Sequence, residues 1–394
     1  MRIGLVVAPW IPIPPVGYGG IERVVDCLAR GFIAAGHEVL LAAASDSTCP
    51  VPLAPGMRPS ERAELGFTLS ELSHVIRAYE GLGGVDIIHD HTLAGPLVGR
   101  RRAGVPVVTT IHGPLAPASA DLYRAMAANT AIIGISRDQT SHVPDVPVTR
   151  VIHHGMDVSD VPAGSGKGGY VCFVGRICPD KGVLEAIHIA RRAGIPLRIA
   201  AKMREPDEIA YFRSVIEPLL GSNEEFLGEL ADPDKYRLMG EAIAFLNPIQ
   251  WSEPFGLVMI ESLATGTPVV GTPIGSAPEI VDHGKTGYLG PVEQLHSFLP
   301  LAAGLDRQHC RDRALQLFST ERMVGNHLDL YAKLLDQAQA TEIPETRPVH
   351  QNRSRGSIIG TPATSPISTL PEGGLLGKRT LQDKIMLHRG SQPE

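Results

Sequence analysis

The chain has 394 residues, 43% of them hydrophobic and 20% charged, with a net charge of −6 at pH 7. That length fills more than one core, so two domains are expected, and an acidic balance without a long basic run speaks against nucleic acid as a partner. The cysteines at 27, 49, 172, 178 and 310 lack CxxC spacing, which suggests neither a disulfide framework nor a zinc site and fits a reducing cytosol.

The opening "MRIGLVVAPWIPIPP" has one Arg and too short an apolar run before its prolines for a signal peptide, so it reads as a first strand. Further Val/Ile-rich runs follow: "EVLLAAA", "VDIIH", "VPVVTTIH", "AIIGIS" and "VTRVIHH". They alternate with helix-period segments, the pattern of βαβ units and a parallel sheet. The stretch "GRRRAG", with Arg100, Arg101 and Arg102, reads as a solvated helix end, with an anionic membrane surface or an acidic acceptor as the alternative. No segment approaches the ~18 apolar residues of a membrane span. After Asp157 the Pro/Gly/Ser-rich "VSDVPAGSGKGG" marks a linker over 157–169. The alternation then restarts with "YVCFVGR", "PLRIAA", "AIAFLNP" and "TPVVGT". From 292 to 339 the spacing is helical. The expected organisation is an α/β domain over 1–156, the linker, a second α/β domain with terminal helices over 170–340, and a disordered Pro/Ser/Thr-rich tail over 341–394. Within that tail "LLGKRTLQDKIML" could fold as an amphipathic helix on a partner.

Parallel sheets bind ligands beyond the carboxyl ends of their strands, so the loops there carry the candidates. "PPVGYGGIE" brings Gly17, Gly19 and Gly20 to the start of a helix, where backbone N–H groups could approach an anion. It lies too far past the first strand for a dinucleotide fingerprint, which leaves a plain turn equally open and argues against a Rossmann oxidoreductase. "FVGRICPDKG" places Arg176 at a strand end and Lys181 at the next helix, two cations that suit a diphosphate or, alternatively, a set of surface ion pairs. In "EPFGLVMIE", Gly256 and Leu257 open a helix with Glu261 about one turn inside and Glu253 just before it. An acid within so apolar a run either faces solvent or has a partner.

Together "GGIE", "IIGIS", "VIHHGMD", "FVGR" with its following "KG", and "SEPFGLVMIESLATGTPVVGTPIGSAPEIV" resemble the retaining glycosyltransferases of family 4, over roughly residues 1–340. The resemblance implies the GT-B fold, two Rossmann-like domains facing a central cleft. It implies that Glu261 binds the ribose hydroxyls of a nucleotide sugar and that Glu253 lies near the sugar. Arg176 and Lys181 would hold the diphosphate, the Gly19–Gly20 loop would close over it, and Phe255, Gly256 and Leu257 would offer backbone amides. His112 matches the position that contacts the donor sugar near the reacting centre. The sequence departs from the family pattern at His153 and His154, where Pro-Asn is common, and in "RIAAKM", where a glycine often follows the strand.

"IIHDHT" sets His89, Asp90 and His91 at one strand end. Metal binding and structural roles are open for it, and Asp90 and His91 are taken as acceptor contacts. The function so implied is transfer of a hexosyl group from a nucleotide sugar, most simply a UDP-sugar, to a sugar, lipid-linked or small-molecule hydroxyl acceptor with retention of configuration. No metal or cofactor is expected, because the cations Arg176 and Lys181 would take the place of a divalent ion. The expected setting is the cytoplasm, with peripheral membrane contact allowed. An epimerase or phosphorylase on the same fold, or a non-catalytic nucleotide-sugar-binding protein, are the rival readings.

Overall fold

A computed structural model describes residues 1–17, 19–93, 95–99 and 104–342. The basic stretch at 100–102 and the tail from 343 onward, with the amphipathic segment expected in it, lie outside the described residues.

The first sheet contains β1 (Arg2–Val6), β2 (Glu38–Ala42), β3 (Ile87–Asp90), β4 (Val107–Thr110), β5 (Ala131–Gly134) and β6 (Arg150–Val151), in the order β2-β1-β3-β4-β5-β6. Every pair is parallel. Alternate residues serve opposite cores, as a strand's two-residue period requires. Ile3 and Leu5 pack with Val24 and Phe32 on one face, and Val6 packs with Val75 and Ala78 on the other.

The second sheet contains β7 (Val171–Arg176), β8 (Leu197–Lys202), β9 (Glu224–Gly228), β10 (Phe245–Asn247), β11 (Val269–Gly271) and β12 (Gly287–Leu289), in the order β12-β11-β10-β7-β8-β9. It too is parallel throughout. The edge strands β9 and β12 are absent from the sequence reading: "EEFLG" opens on two acids and is only partly buried, and "GYL" is three residues long.

In both sheets the strand order reverses once, between β1 and β3 and between β7 and β10. Such a reversal leaves a crevice at the strands' carboxyl ends, because the flanking loops diverge to opposite faces. The last helix, Thr320–Glu342, placed by the sequence with the second domain, buries Met323, Val324, Leu330 and Tyr331 in the first domain's core. Gly31 permits this approach. A Cβ there would fall 2.4 Å from Val324 Cγ2. Among the described residues no helix is long and apolar enough to cross a membrane.

Candidate active site

The crevice of the second sheet opens onto the first domain, and a cleft of about 950 Å³ lies between them. Arg176 ends β7 and Asn247 ends β10, so both stand at the strand-order reversal and line the cleft. Lys181 closes the single turn Pro179–Lys181. The loop after β10 carries Trp251 and Glu253 to Gly256, whose φ of 80° places it in the left-handed region. That conformation, easy only for glycine, turns the chain into the helix Leu257–Ala264. The first N–H groups of this helix have no partner within it and favour an anion. Across the cleft stand Gly19 and Gly20, at the start of the helix Gly20–Ala34, and His112, two residues past β4.

Gly19, Gly20, His112, Arg176, Lys181, Glu253, Phe255, Gly256, Leu257 and Glu261 therefore all line one cleft. Asp90 and His91 are not brought there with them. Asp90 is fully buried and accepts hydrogen bonds from the Thr92 N–H at 2.7 Å, the Thr92 hydroxyl at 2.6 Å and the Tyr79 hydroxyl at 2.8 Å. Burial pushes its carboxyl up to about 7 against those hydrogen bonds. His91 lies behind the cleft wall, its Nδ1 2.9 Å from His112 Nε2.

The two glutamates of "EPFGLVMIE" have protein partners. Glu253 is ion-paired with Lys181, whose ammonium also sits 5.6 Å from the centre of the Trp251 ring. Glu261, 7% exposed, accepts from Lys235 Nζ at 2.7 Å, and Lys235 also meets Asp232 at 2.9 Å. Arg23, from the first domain, reaches across to Asp232. Arg176 is 3.4 Å from Glu208, whose carboxyl stays below its ordinary range although burial opposes this, because the backbone N–H groups of Arg204 and Glu205, Lys202 and Arg176 all favour its charged form. The cleft is thus lined by opposed charges whose partners a phosphate or hydroxyl could replace.

Lys235, Glu22, Lys202 and Trp251 also line the cleft and were not singled out from sequence. Glu22 is the acid of "GGIE", and burial raises its carboxyl's pKa. Lys235 sits in "DPDKYRLMGE", too polar to advertise itself.

His112 stands within a row of rings. His327, His89, His91, His112 and His154 follow one another at centroid separations of 5.3, 4.0, 5.1 and 5.2 Å, and His154 meets Phe255 edge-on at 5.1 Å. Burial is the main cause lowering the pKa of these rings, joined by neighbouring imidazoles for His89, His91, His112 and His154 and by Arg322 and Arg150 for His327; His112 is pushed down to about 3. His153, the other departure from the family pattern, is 2.7 Å from Glu279.

A family model for glycosyl transferases group 1 matches residues 160–299, and one for glycosyltransferase family 4 matches residues 18–160. The chain belongs to glycosyltransferase family 4. This transferase is 28% identical over 334 residues to a glycogen synthase of Mycobacterium tuberculosis, covering 70% of this chain and 79% of that one. Among solved structures, AviGT4, a glycosyltransferase involved in avilamycin A biosynthesis, aligns with a TM-score of 0.66 and 27% identity over 85% of this chain and 98% of its own. HepE of Anabaena, solved with UDP and glucose, aligns with a TM-score of 0.66 and 20% identity over 84% and 99%. The expected GT-B fold and membership of the hexosyltransferase class are borne out by these matches.

Proposed function

We propose that the transferase moves a hexosyl group from a nucleotide sugar, a UDP-sugar in the first instance, to a hydroxyl acceptor with retention of anomeric configuration. The observation that carries this reading is the convergence of ten residues from both domains on one cleft, with cations and a helix N-terminus on the side of the second sheet's crevice. HepE, of the same fold, was solved with UDP and glucose, which supports UDP as the first nucleotide to test.

In this reading the diphosphate lies over the N-terminus of the helix Leu257–Ala264, between Arg176 and Lys181. As the bond from the anomeric carbon to phosphate breaks, negative charge grows on the leaving oxygen. The guanidinium, the ammonium and the helix N–H groups stabilise it. The acceptor oxygen attacks the same face, and its proton passes to the departing phosphate. Glu261 takes the ribose hydroxyls in place of Lys235, and Glu253 and His112 flank the sugar. Fixed positioning of the two reactants supplies much of the rate.

A thermal-shift screen of UDP-, GDP- and ADP-sugars tests the donor, because a ligand at 100 times its Kd adds about 2.7 kcal/mol of stability. The product's anomeric configuration, read by NMR, tests retention. Turnover of a nucleotide sugar with no acceptor other than itself or phosphate would favour an epimerase or phosphorylase instead.

A further inference from the structure

His112 is held on two sides. Its Nε2 lies 2.9 Å from Nδ1 of His91, and its ring stacks on His154 at 5.2 Å with 22° between the planes. The other nitrogen of His91, Nε2, is buried without a hydrogen-bond partner. The adjacent ring cannot supply one, because both nitrogens of His89 are engaged: Nε2 with the Thr110 hydroxyl at 2.8 Å and Nδ1 with the Tyr331 hydroxyl at 2.6 Å.

Two neutral imidazoles that share one N···N contact have two arrangements. In the first, His91 donates from Nδ1, its Nε2 is a bare acceptor, and the proton of His112 sits on Nδ1. In the second, His112 donates from Nε2, and the proton of His91 is forced onto a buried Nε2 with nothing to receive it. Buried N–H groups without an acceptor are rarer in folded proteins than under-used acceptors. The lone nitrogen of His91 therefore selects the first arrangement.

We propose that His91 is a positioning residue for His112: it fixes the ring and keeps its proton on Nδ1, so that His112 meets a bound sugar oxygen as a hydrogen-bond donor. This rests on the reading that the cleft holds a donor sugar. The second clamp comes from His154, one of the two departures from the family pattern. Its ring stands edge-on to Phe255 at 5.1 Å and 80°, so the orientation of His112 is tied to the second domain as well. A ring held as a donor discriminates among ligands. It favours a sugar that presents an oxygen lone pair there over an analogue whose hydroxyl is removed.

Tautomers are read directly from full-length protein labelled with ¹⁵N-histidine, with the His112 signals identified by their loss in His112→Gln. The expected result is protonation of His112 at Nδ1. Protonation at Nε2, or an average of the two, overturns the proposal, and this measurement needs no knowledge of the substrate. Kinetics with the nucleotide sugar that stabilises the protein in the screen above tests the consequence. His91→Leu, which removes both ring nitrogens, is expected to lower kcat by about tenfold to hundredfold and to leave donor KM nearly unchanged. His91→Asn, whose amide nitrogen takes the place of Nδ1, is expected to recover most of that loss. A His91→Leu enzyme with wild-type kcat overturns the positioning role. A His112→Ala enzyme with wild-type kcat overturns instead the placing of His112 at the sugar, and the tautomer measurement separates the two failures.

Discussion

Acidifying the protein from pH 7 to pH 5 is expected to destabilise it, before its ordinary carboxylates begin to titrate. His74, His112 and His327 are pushed down to about 4, 3 and 4, in each case chiefly by burial. Because these values lie below the ordinary 6.5, the unfolded chain takes up protons first, and stability is lost as pH falls through 6.5 towards the folded values. At pH 5 each ring costs about 2 kcal/mol, so the three cost about 6 kcal/mol together. His89, His91 and His154 shift in the same direction and add to the loss. Asp90 works the other way. Burial has pushed it up to about 7, so protonation on acidification returns about 2 kcal/mol, and Glu22 shifts in that sense too. From His74, His112, His327 and Asp90 alone the loss is about 4 kcal/mol, or about 5 °C in Tm for a body of this size, and the other buried rings enlarge it. Thermal melts at pH 7, 6 and 5 and constant ionic strength measure it. His327→Phe should reduce the pH dependence by about one proton, about 1.4 kcal/mol per pH unit. A Tm that is unchanged or higher at pH 5 would refute the argument that these rings are buried uncharged.

The remaining expectations concern the cleft. Glu261→Gln should weaken binding of free UDP by about tenfold to hundredfold, the scale of a hydrogen bond to a charged group; Glu253→Gln should depress turnover of the complete donor and leave UDP affinity nearly unchanged. Calorimetry on both variants decides, and equal UDP affinities with two lowered apo melting points would mean that both acids serve only Lys181 and Lys235. Arg176→Ala and Lys181→Ala should each lower kcat/KM by about 10²- to 10³-fold, the effect of removing one donor from a developing anion; normal turnover in both would remove the diphosphate from this position. Activity should survive excess EDTA, with protein cations in the place of a divalent ion, and loss of activity restored by Mg²⁺ or Mn²⁺ would overturn that expectation.

The sheets were legible because parallel strands buried on both faces must be apolar nearly throughout, and ten of the twelve strands among the described residues lie in runs of that kind. The two missed strands are edges, where one side of the ladder is unpaired and the sequence is under weaker demand. Residues set directly at strand ends or helix starts, such as Arg176, Lys181 and Gly256, could be placed on the cleft from position, although position left surface ion pairs open for the two cations and their donor roles came from the family resemblance. Lys235 could not, because its place in the cleft depends on how the helix Asp232–Glu241 packs against the helix Leu257–Ala264. Nor could the relation of His91 to His112. They are 21 residues apart and meet only because β3 and β4 pair in parallel, with His89 opposite Val108 and Asp90 opposite Thr109.

The return of the last helix to the first domain means that the chain passes between the domains twice, and the two passages are bonded to each other. The Met156 N–H donates to the Phe318 carbonyl at 2.9 Å, and the Thr320 N–H donates to the Met156 carbonyl at 3.0 Å. Two tethers side by side resist twisting far more than a single one does, so the connection between the domains is stiffer than one crossing segment would make it. The same arrangement makes the halves inseparable. A fragment ending at residue 156 would expose Phe32 and leave His89 without the Tyr331 hydroxyl, while one beginning at 170 would carry the apolar face of Met323, Val324 and Tyr331 with nothing to cover it.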